Sequence, residues 1–368
     1  MFEKILVPVD GSALAASALS HVLAVTTPQD ASVTVLRVVE PTAAATSMIN
    51  PIDWQLQCSE ASLYLDELVA GYTHAKECQG EATEKPATDD IVVEKVVQGG
   101  PVADRILEQA REQGHNLIVI SSHGQGGLSG WNVSSVANKV INRSGISILL
   151  VRSYKSAENP TAGEIKPAQY RRIMAPLDGS LRSEYVLPVA ARLAQQHNAE
   201  LFLVHGVVMP ELFQQAPLGS EHRALIEKVV EYNKRQAESY LQGLSQRISG
   251  LPKTYVLTSD DVAESLHRFI DEHNIDLVVL SAHGRSGKHA WPYGSVTSGF
   301  ITYGTTHLLI VQDLPWQQIE ETSAEQATQE NKLANIPPVH IQSTTPAKGL
   351  SNINAFAFRP NYSRTYSA

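Results

Sequence analysis

The 368-residue sequence predicts an α/β protein of two tandem domains, each a parallel sheet with helices on both faces. Three observations carry this. Three segments recur in the same order: "KILVPVDGS" (Lys4–Ser12) returns as "RIMAPLDGS" (Arg172–Ser180), "NLIVISSHG" (Asn116–Gly124) as "DLVVLSAHG" (Asp276–Gly284), and "SILLVRS" (Ser147–Ser153) as "HLLIVQD" (His307–Asp313). Such self-similarity marks a tandem duplication. Short apolar runs alternate with longer amphipathic segments, the pattern of βα units and a parallel sheet. The runs are rich in Val, Ile and Leu and barely alternate, as strands buried on both faces do.

The predicted strands of the first copy are Lys4–Val9, Ser32–Val39, Ile91–Val97, Asn116–Ser121 and Ile146–Arg152. Those of the second are Arg172–Leu177, Glu200–Val208, Lys253–Thr258, Asp276–Ser281 and His307–Gln312. After the first strand, Leu14, Ala18, Val22 and Val25 lie on one helical stripe; Val262, Leu266, Phe269 and Ile270 form another in the second copy. Long helices, near Trp54–Glu77 and Glu221–Ser249, fill the second crossovers. Asp10 aligns with Asp178 and Gly124 with Gly284, so the first copy is eight residues longer between them, and the polar stretch Gln79–Asp90 takes up the excess. The expected organisation is a first domain over 1–153, a linker over 154–169, a second domain over 170–313 and a tail over 314–368. The tail holds ten Leu, Ile, Val or Phe in 55 residues, too few for a core, and reads as largely disordered.

Composition removes several classes. A net charge of −9 argues against a nucleic-acid binder, which needs a basic face. No apolar run approaches the ~18 residues of a membrane span, and the start lacks a secretory signal, so the expected place is the cytoplasm. Cys58 and Cys78 read as two free thiols about 30 Å apart on one long helix.

The loop after the fourth strand carries the chemistry. It reads "SSHGQGGLSGWNVSS" (Ser121–Ser135) in the first copy and "SAHGRSGKHAWPYGS" (Ser281–Ser295) in the second. A Walker A ending at Gly287-Lys288 would need Gly and Ser or Thr where Ala282 and His289 stand, so this is no P-loop. In an open parallel sheet, however, ligands bind beyond the carboxyl ends of strands. A glycine loop leading into a helix there offers backbone N–H groups and partial positive charge to a phosphate. A nucleotide is the expected ligand.

An early strand ending in Asp-Gly-Ser, a late strand running into His-Gly, nine residues and a closing Ser or Gly-Ser pair: on these motifs each copy resembles a universal stress protein domain. The resemblance covers essentially 1–153 and 170–313. It implies a Rossmann-like fold of the adenine nucleotide alpha hydrolase type, with strand order 3-2-1-4-5. It also implies that the early aspartate and the end of the second strand hold adenine and ribose, while the glycine loop holds phosphates. The family's Gly-x2-Gly-x9-Gly-[Ser/Thr] pattern becomes Ser281-x2-Gly284-x9-Gly294-Ser295 in the second copy. The site carried over is Pro176, Asp178, Gly206, Ser281, Gly284, Arg285, Lys288, Gly294, Ser295 and Val296. A weaker one in the first copy is Asp10, Val38, Gly124, Ser134 and Ser135. The second loop carries Arg285, Lys288 and His289, whereas the first, through Gln125–Gly130, carries no charge. Two loop cations favour a triphosphate, so the second copy is expected to bind about tenfold or more tighter.

Each residue has a plainer reading. Asp10 and Asp178 suit turns before helices capped by Ser12 and Ser180. His123 and His283 lack a metal-ligand spacing and read as structural. Trp131 and Trp291 suit either stacking on a base or covering the core.

The expected function is therefore a cytoplasmic stress-response regulator that binds ATP or another adenine nucleotide, with or without Mg, and acts through protein partners. No metal site of its own and no catalytic residue are expected. The alternatives are a slow ATPase or adenylyl-transfer enzyme on the same fold and a nucleotide-free interaction module. Single-domain relatives usually dimerise, so the two halves are expected to pair internally through their fifth strands, with a homodimer of whole chains left open.

Overall fold

The computed structural model describes residues 2–26, 31–40, 51–77, 93–123, 133–152, 165–209, 220–285 and 292–312. All lie within one compact unit, Met1–Gln326; the second unit, Ala327–Ala368, lies outside the described residues. So do Cys78, the Gln79–Asp90 stretch, most of the expected linker and the whole expected tail.

The first half runs β1 (Lys4–Val9), α1 (Ala13–Ala16), α2 (Ala18–Val25), β2 (Ser32–Val39), α3 (Pro51–Glu77), β3 (Val93–Gly99), α4 (Val102–Glu112), β4 (Leu117–Ser121), α5 (Ser135–Ser144) and β5 (Ser147–Val151). The second repeats it as β6 (Arg172–Leu177), α6 (Leu181–Glu184), α7 (Leu187–His197), β7 (Glu200–Val208), α8 (Ser220–Arg247), β8 (Lys253–Ser259), α9 (Val262–Glu272), β9 (Leu277–Ser281), α10 (Ser295–Tyr303) and β10 (His307–Val311).

Alternate residues of each strand feed two apolar layers. Ile5, Val7, Val33 and Val35 pack beneath α2 and α3, while Leu6, Leu36 and Ile118 pack beneath α4 and α5. Strands β4, β5, β9 and β10 are buried at every residue, which is why their sequences do not alternate. The stripe expected for one first helix is broken at Ser17, whose hydroxyl donates to the Leu14 carbonyl at 2.6 Å. Ala18, Val22 and Val25 are buried, but Leu14 is only half-buried on the separate turn of α1.

The expectation of two five-stranded sheets needs one correction. There is a single ten-stranded sheet, ordered β3-β2-β1-β4-β5-β10-β9-β6-β7-β8. Each half keeps the order 3-2-1-4-5, and every pairing within a half is parallel. The halves join where β5 meets β10 antiparallel, with Leu150 opposite Leu308, Leu149 opposite Leu309 and Ile148 opposite Ile310. Leu149 and Leu309 are the residues that the repeat aligns, so a local two-fold axis passes between them. The physical reason for one sheet is the bareness of the two fifth strands: each is an apolar edge, and pairing removes both. The outer edges β3 and β8 instead carry charge, with Lys95 paired to Asp66 and Lys253 to Glu200.

The seam is not symmetric in chemistry. On one side the His21 Nδ1 lies 2.7 Å from the Tyr170 hydroxyl, and the His21 ring centroid is 4.3 Å from that of His307. The repeat places Val189, Phe2 and Ser147 at the mirror positions of these three. Burial holds the His21 imidazole down to about 4.

Candidate functional site

The Asp-Gly-Ser turn is built the same way in both halves. Gly11 and Gly179 take φ of 85° and 84°, a left-handed conformation that glycine adopts at no steric cost. The preceding carboxylate then folds over the turn: Asp10 Oδ1 accepts from the Ser12 N–H at 3.0 Å, and Asp178 Oδ1 from the Ser180 N–H at 3.0 Å and its hydroxyl at 2.7 Å. Each serine Oγ caps the next helix, accepting from Ala15 N at 3.1 Å or Ser183 N at 3.2 Å. The plain turn-and-cap reading therefore holds for both aspartates.

The second half adds a further contact. Asp178 Oδ2 accepts from the backbone N–H of Arg285 at 2.6 Å, tying the first-strand turn to the glycine loop. The Arg285 guanidinium, expected among the phosphate cations, turns back instead and donates to the Asp178 carbonyl oxygen. A Cβ at Gly284 would lie 2.1 Å from Asp178 Oδ2, so only glycine fits there. Burial opposes ionisation of Asp178, but the Arg285 and Ser180 donors outweigh it and hold the carboxyl below its usual value.

The loop itself starts from a locked turn. Ser281 Oγ donates to the His283 carbonyl at 2.6 Å, as Ser121 Oγ does to that of His123 at 2.8 Å, so the serine at the family's first glycine position braces its own backbone. The closing end returns to the strand: Gly294 N donates to Ala282 O at 2.9 Å, and Ser134 N to Ser122 O at 2.7 Å. Thr297 Oγ1 adds a bond to Ser281 O at 3.0 Å. A Cβ at Gly294 would sit 3.8 Å from Gly284 N, so the two ends of the loop meet. Helix α10 opens at Gly294 with no side-chain cap, whereas Ser134 caps α5 by accepting from Ala137 N at 3.2 Å.

The other expected residues are placed as follows. Pro176, half-buried on β6, lies opposite Val204. Ser295 and Ser135 are exposed in the first turns of α10 and α5, and Val296 packs on the core layer beneath α10. Val38 is buried. At the matching Gly206, an added Cβ would lie 2.4 Å from a methyl of Val262, so this glycine exists to admit α9. Lys288, Gly124, His289 and both tryptophans lie outside the described residues.

Sequence reading passed over a polar wall beside Asp178. His205, in the apolar run "LVHGVV", stacks edge-on against Tyr240 with centroids 5.9 Å apart, and Tyr240 donates to Glu184 at 3.1 Å. Burial, then the Arg285 charge, pushes the His205 imidazole down, so it stays neutral at physiological pH. The available signal was its place at the carboxyl end of the second strand, which the strand pattern hid. Among the described residues no group of three His, Cys, Asp or Glu could hold a metal, and no helix is long and apolar enough to cross a membrane.

The comparisons agree with this frame. Residues 1–152 and 169–312 each match the Universal stress protein family. The universal stress protein YxiE of Bacillus subtilis is 31% identical over 153 residues, 41% of this chain and 100% of that protein. Rv2005c, a universal stress protein of Mycobacterium tuberculosis, is 25% identical over 191 residues, 50% of this chain and 58% of that protein. In fold, a universal stress protein structure from Archaeoglobus fulgidus is similar at a TM-score of 0.54 and 14% identity, covering 85% of this chain and 99% of that one. A Pseudomonas aeruginosa protein of unknown function gives 0.52 and 12%, covering 85% and 93%. With both halves matched, the chain belongs to the Universal stress protein family.

Proposed function

We propose that the second half binds an adenine nucleotide, ATP or a close relative, and that the protein acts as a cytoplasmic stress-response regulator whose partners read the bound state. The observation that carries this reading is the uncapped start of α10 beside the meeting loop ends. Gly294 leaves the first N–H groups of the helix without a side-chain acceptor, the arrangement that receives a phosphate. Gly284 supports it by letting the loop backbone close on Asp178. The ionised Asp178, at the carboxyl end of β6, would face the nucleoside end.

The residues fit a nucleotide better than a metal. Both Asp178 oxygens are engaged, Oδ1 by Ser180 and Oδ2 by Arg285, so a magnesium ion would arrive on the phosphates. In the first half the Ser134 hydroxyl already occupies the helix start, which supports a weaker site there.

Mass spectrometry of small molecules released on denaturing the purified protein tests the reading, with ATP titration calorimetry on the emptied protein. An adenine nucleotide at one per chain is expected. Release of ADP or AMP and diphosphate at a steady rate under excess Mg-ATP would move the reading to the enzyme alternative. Failure of the emptied protein to bind any adenine nucleotide would leave an interaction module.

A further inference from the structure

Both ends of α10 are held by the other half of the molecule. At its far end Arg152, the residue after β5, is buried and donates to the carbonyls of Phe300 at 2.8 Å and Ile301 at 2.7 Å. Phe300 O also accepts from the cap Gly304 N at 3.0 Å, while Ile301 is among the last residues of α10, whose carbonyls have no partner within the helix. No ion pair among the described residues joins Arg152 to a carboxylate, so the negative end of the α10 dipole is its counter-charge. At the near end Tyr293, next to Gly294, buries its ring and donates to Ile141 O at 2.8 Å. That carbonyl is in turn among the last four of α5.

The mirror positions lack both devices. The repeat places Val133 opposite Tyr293 and Gln312 opposite Arg152. Val133 has no hydroxyl, and Gln312 is uncharged. Only the backbone contacts are mirrored: Arg152 N donates to His307 Nδ1 at 3.1 Å, and Gln312 N to Ser147 Oγ at 3.0 Å. The two unmatched anchors thus fall on the helix that opens at Gly294, and not on the one capped by Ser134.

We propose that the first half is the mount of the second half's nucleotide site, with Arg152 and Tyr293 as positioning residues that couple the β5–β10 seam to anion binding at the start of α10. A cation at the carboxyl end and an anion at the amino end each interact favourably with the dipole of one short helix, so both favour the same placement of α10. Tyr293 fixes the backbone from which Gly294 closes the loop. Coupling of this kind is reciprocal: what the seam does for the nucleotide, the nucleotide does for the seam. The proposal rests on the nucleotide reading above.

The test uses the full chain and ATP as the probe. ATP affinity is measured by calorimetry for wild type, Arg152→Met, Arg152→Lys, Tyr293→Phe and the mirror control Gln312→Met, with thermal midpoints alongside. Hydrogen exchange at β5 and β10 is followed with and without ATP. Expected are about fivefold weaker binding for Arg152→Met, recovery in Arg152→Lys, weaker binding for Tyr293→Phe and no change for Gln312→Met. ATP should slow exchange at the seam in wild type and do so less in Arg152→Met. If Arg152→Met does not fold, Tyr293→Phe, which loses one hydroxyl, still decides. Lower midpoints with unchanged affinities would make both residues merely structural and overturn the proposal. A wild type that binds no ATP would remove the nucleotide reading itself, and the coupling with it.

Discussion

At the start of α5, Ser134 turns its hydroxyl onto the N–H of Ala137; at the start of α10, Gly294 has no side chain to turn. The same divergence recurs at the seam, where His21, Tyr170 and His307 face Val189, Phe2 and Ser147 across the pseudo-axis. Duplicated halves keep the apolar positions that build the sheet, because the fourth and fifth strands are buried at every residue in both. They drift apart where a polar group serves only one of them. In this chain one half keeps a self-satisfied helix start, and the other leaves its helix start open.

The largest expected effect concerns the polar side of the seam. His21 has a folded value near 4 against an ordinary 6.5, so the unfolded chain binds the proton first. Stability from this group is complete above pH 6.5 and is lost as pH falls from 6.5 towards 4, up to about 3 kcal/mol. His115, His197, His205 and His267 are also depressed by burial and act in the same direction. The decisive quantity is therefore a difference: urea midpoints of His21→Phe should depend less steeply on pH in that window than those of wild type. Equal slopes would show that the seam histidine titrates normally.

Next comes the loop glycine. Valine at Gly284 would drive a Cβ to within 2.1 Å of the Asp178 carboxylate, so loop and turn must part. Overpacking of this order costs about 1–3 kcal/mol, equivalent to roughly fivefold to 150-fold if it all appears in ATP affinity. Calorimetry on Gly284→Val checks it, and retained affinity would mean that the nucleotide does not need the Asp178–Arg285 closure.

A smaller effect tests the helix starts directly. Gly294→Ser should give α10 the cap that α5 has, raising the thermal midpoint while weakening ATP binding about threefold to tenfold, the loss of about one hydrogen bond. The reverse change, Ser134→Gly, should cost only a few tenths of a kcal/mol and make any ATP binding in the first half easier to detect. If Gly294→Ser binds ATP as wild type does, the open helix start is not what separates the halves.

Much of this was legible in the sequence. All ten strands were located with shared residues in each: the repeat reads the first, fourth and fifth strands twice, and the alternation of apolar runs with amphipathic segments gives the second and third. The internal pairing of fifth strands was legible too, since both are bare apolar edges. Contacts made across long stretches of chain were not. That Val262 crowds Gly206 and leaves no room for a Cβ is visible only once α9 packs on β7. Arg285 looked like a phosphate cation, but a carbonyl oxygen 107 residues away claims its guanidinium. Tyr293 and Arg152 carry no local signal at all, because their partners are helix-end carbonyls in the opposite half.

The antiparallel junction has a consequence for synthesis. Leu149 waits for Leu309, about 160 residues further along the chain. At roughly 5–20 residues per second, the finished first half stands with β5 bare for on the order of ten seconds or more. The best substitute for β10 in that interval is β5 of a sister chain on the same messenger, because a strand that lies beside its own repeat in antiparallel register can lie beside itself. The ribosome's pace over the second half therefore sets how often the intended partner arrives before a neighbour does.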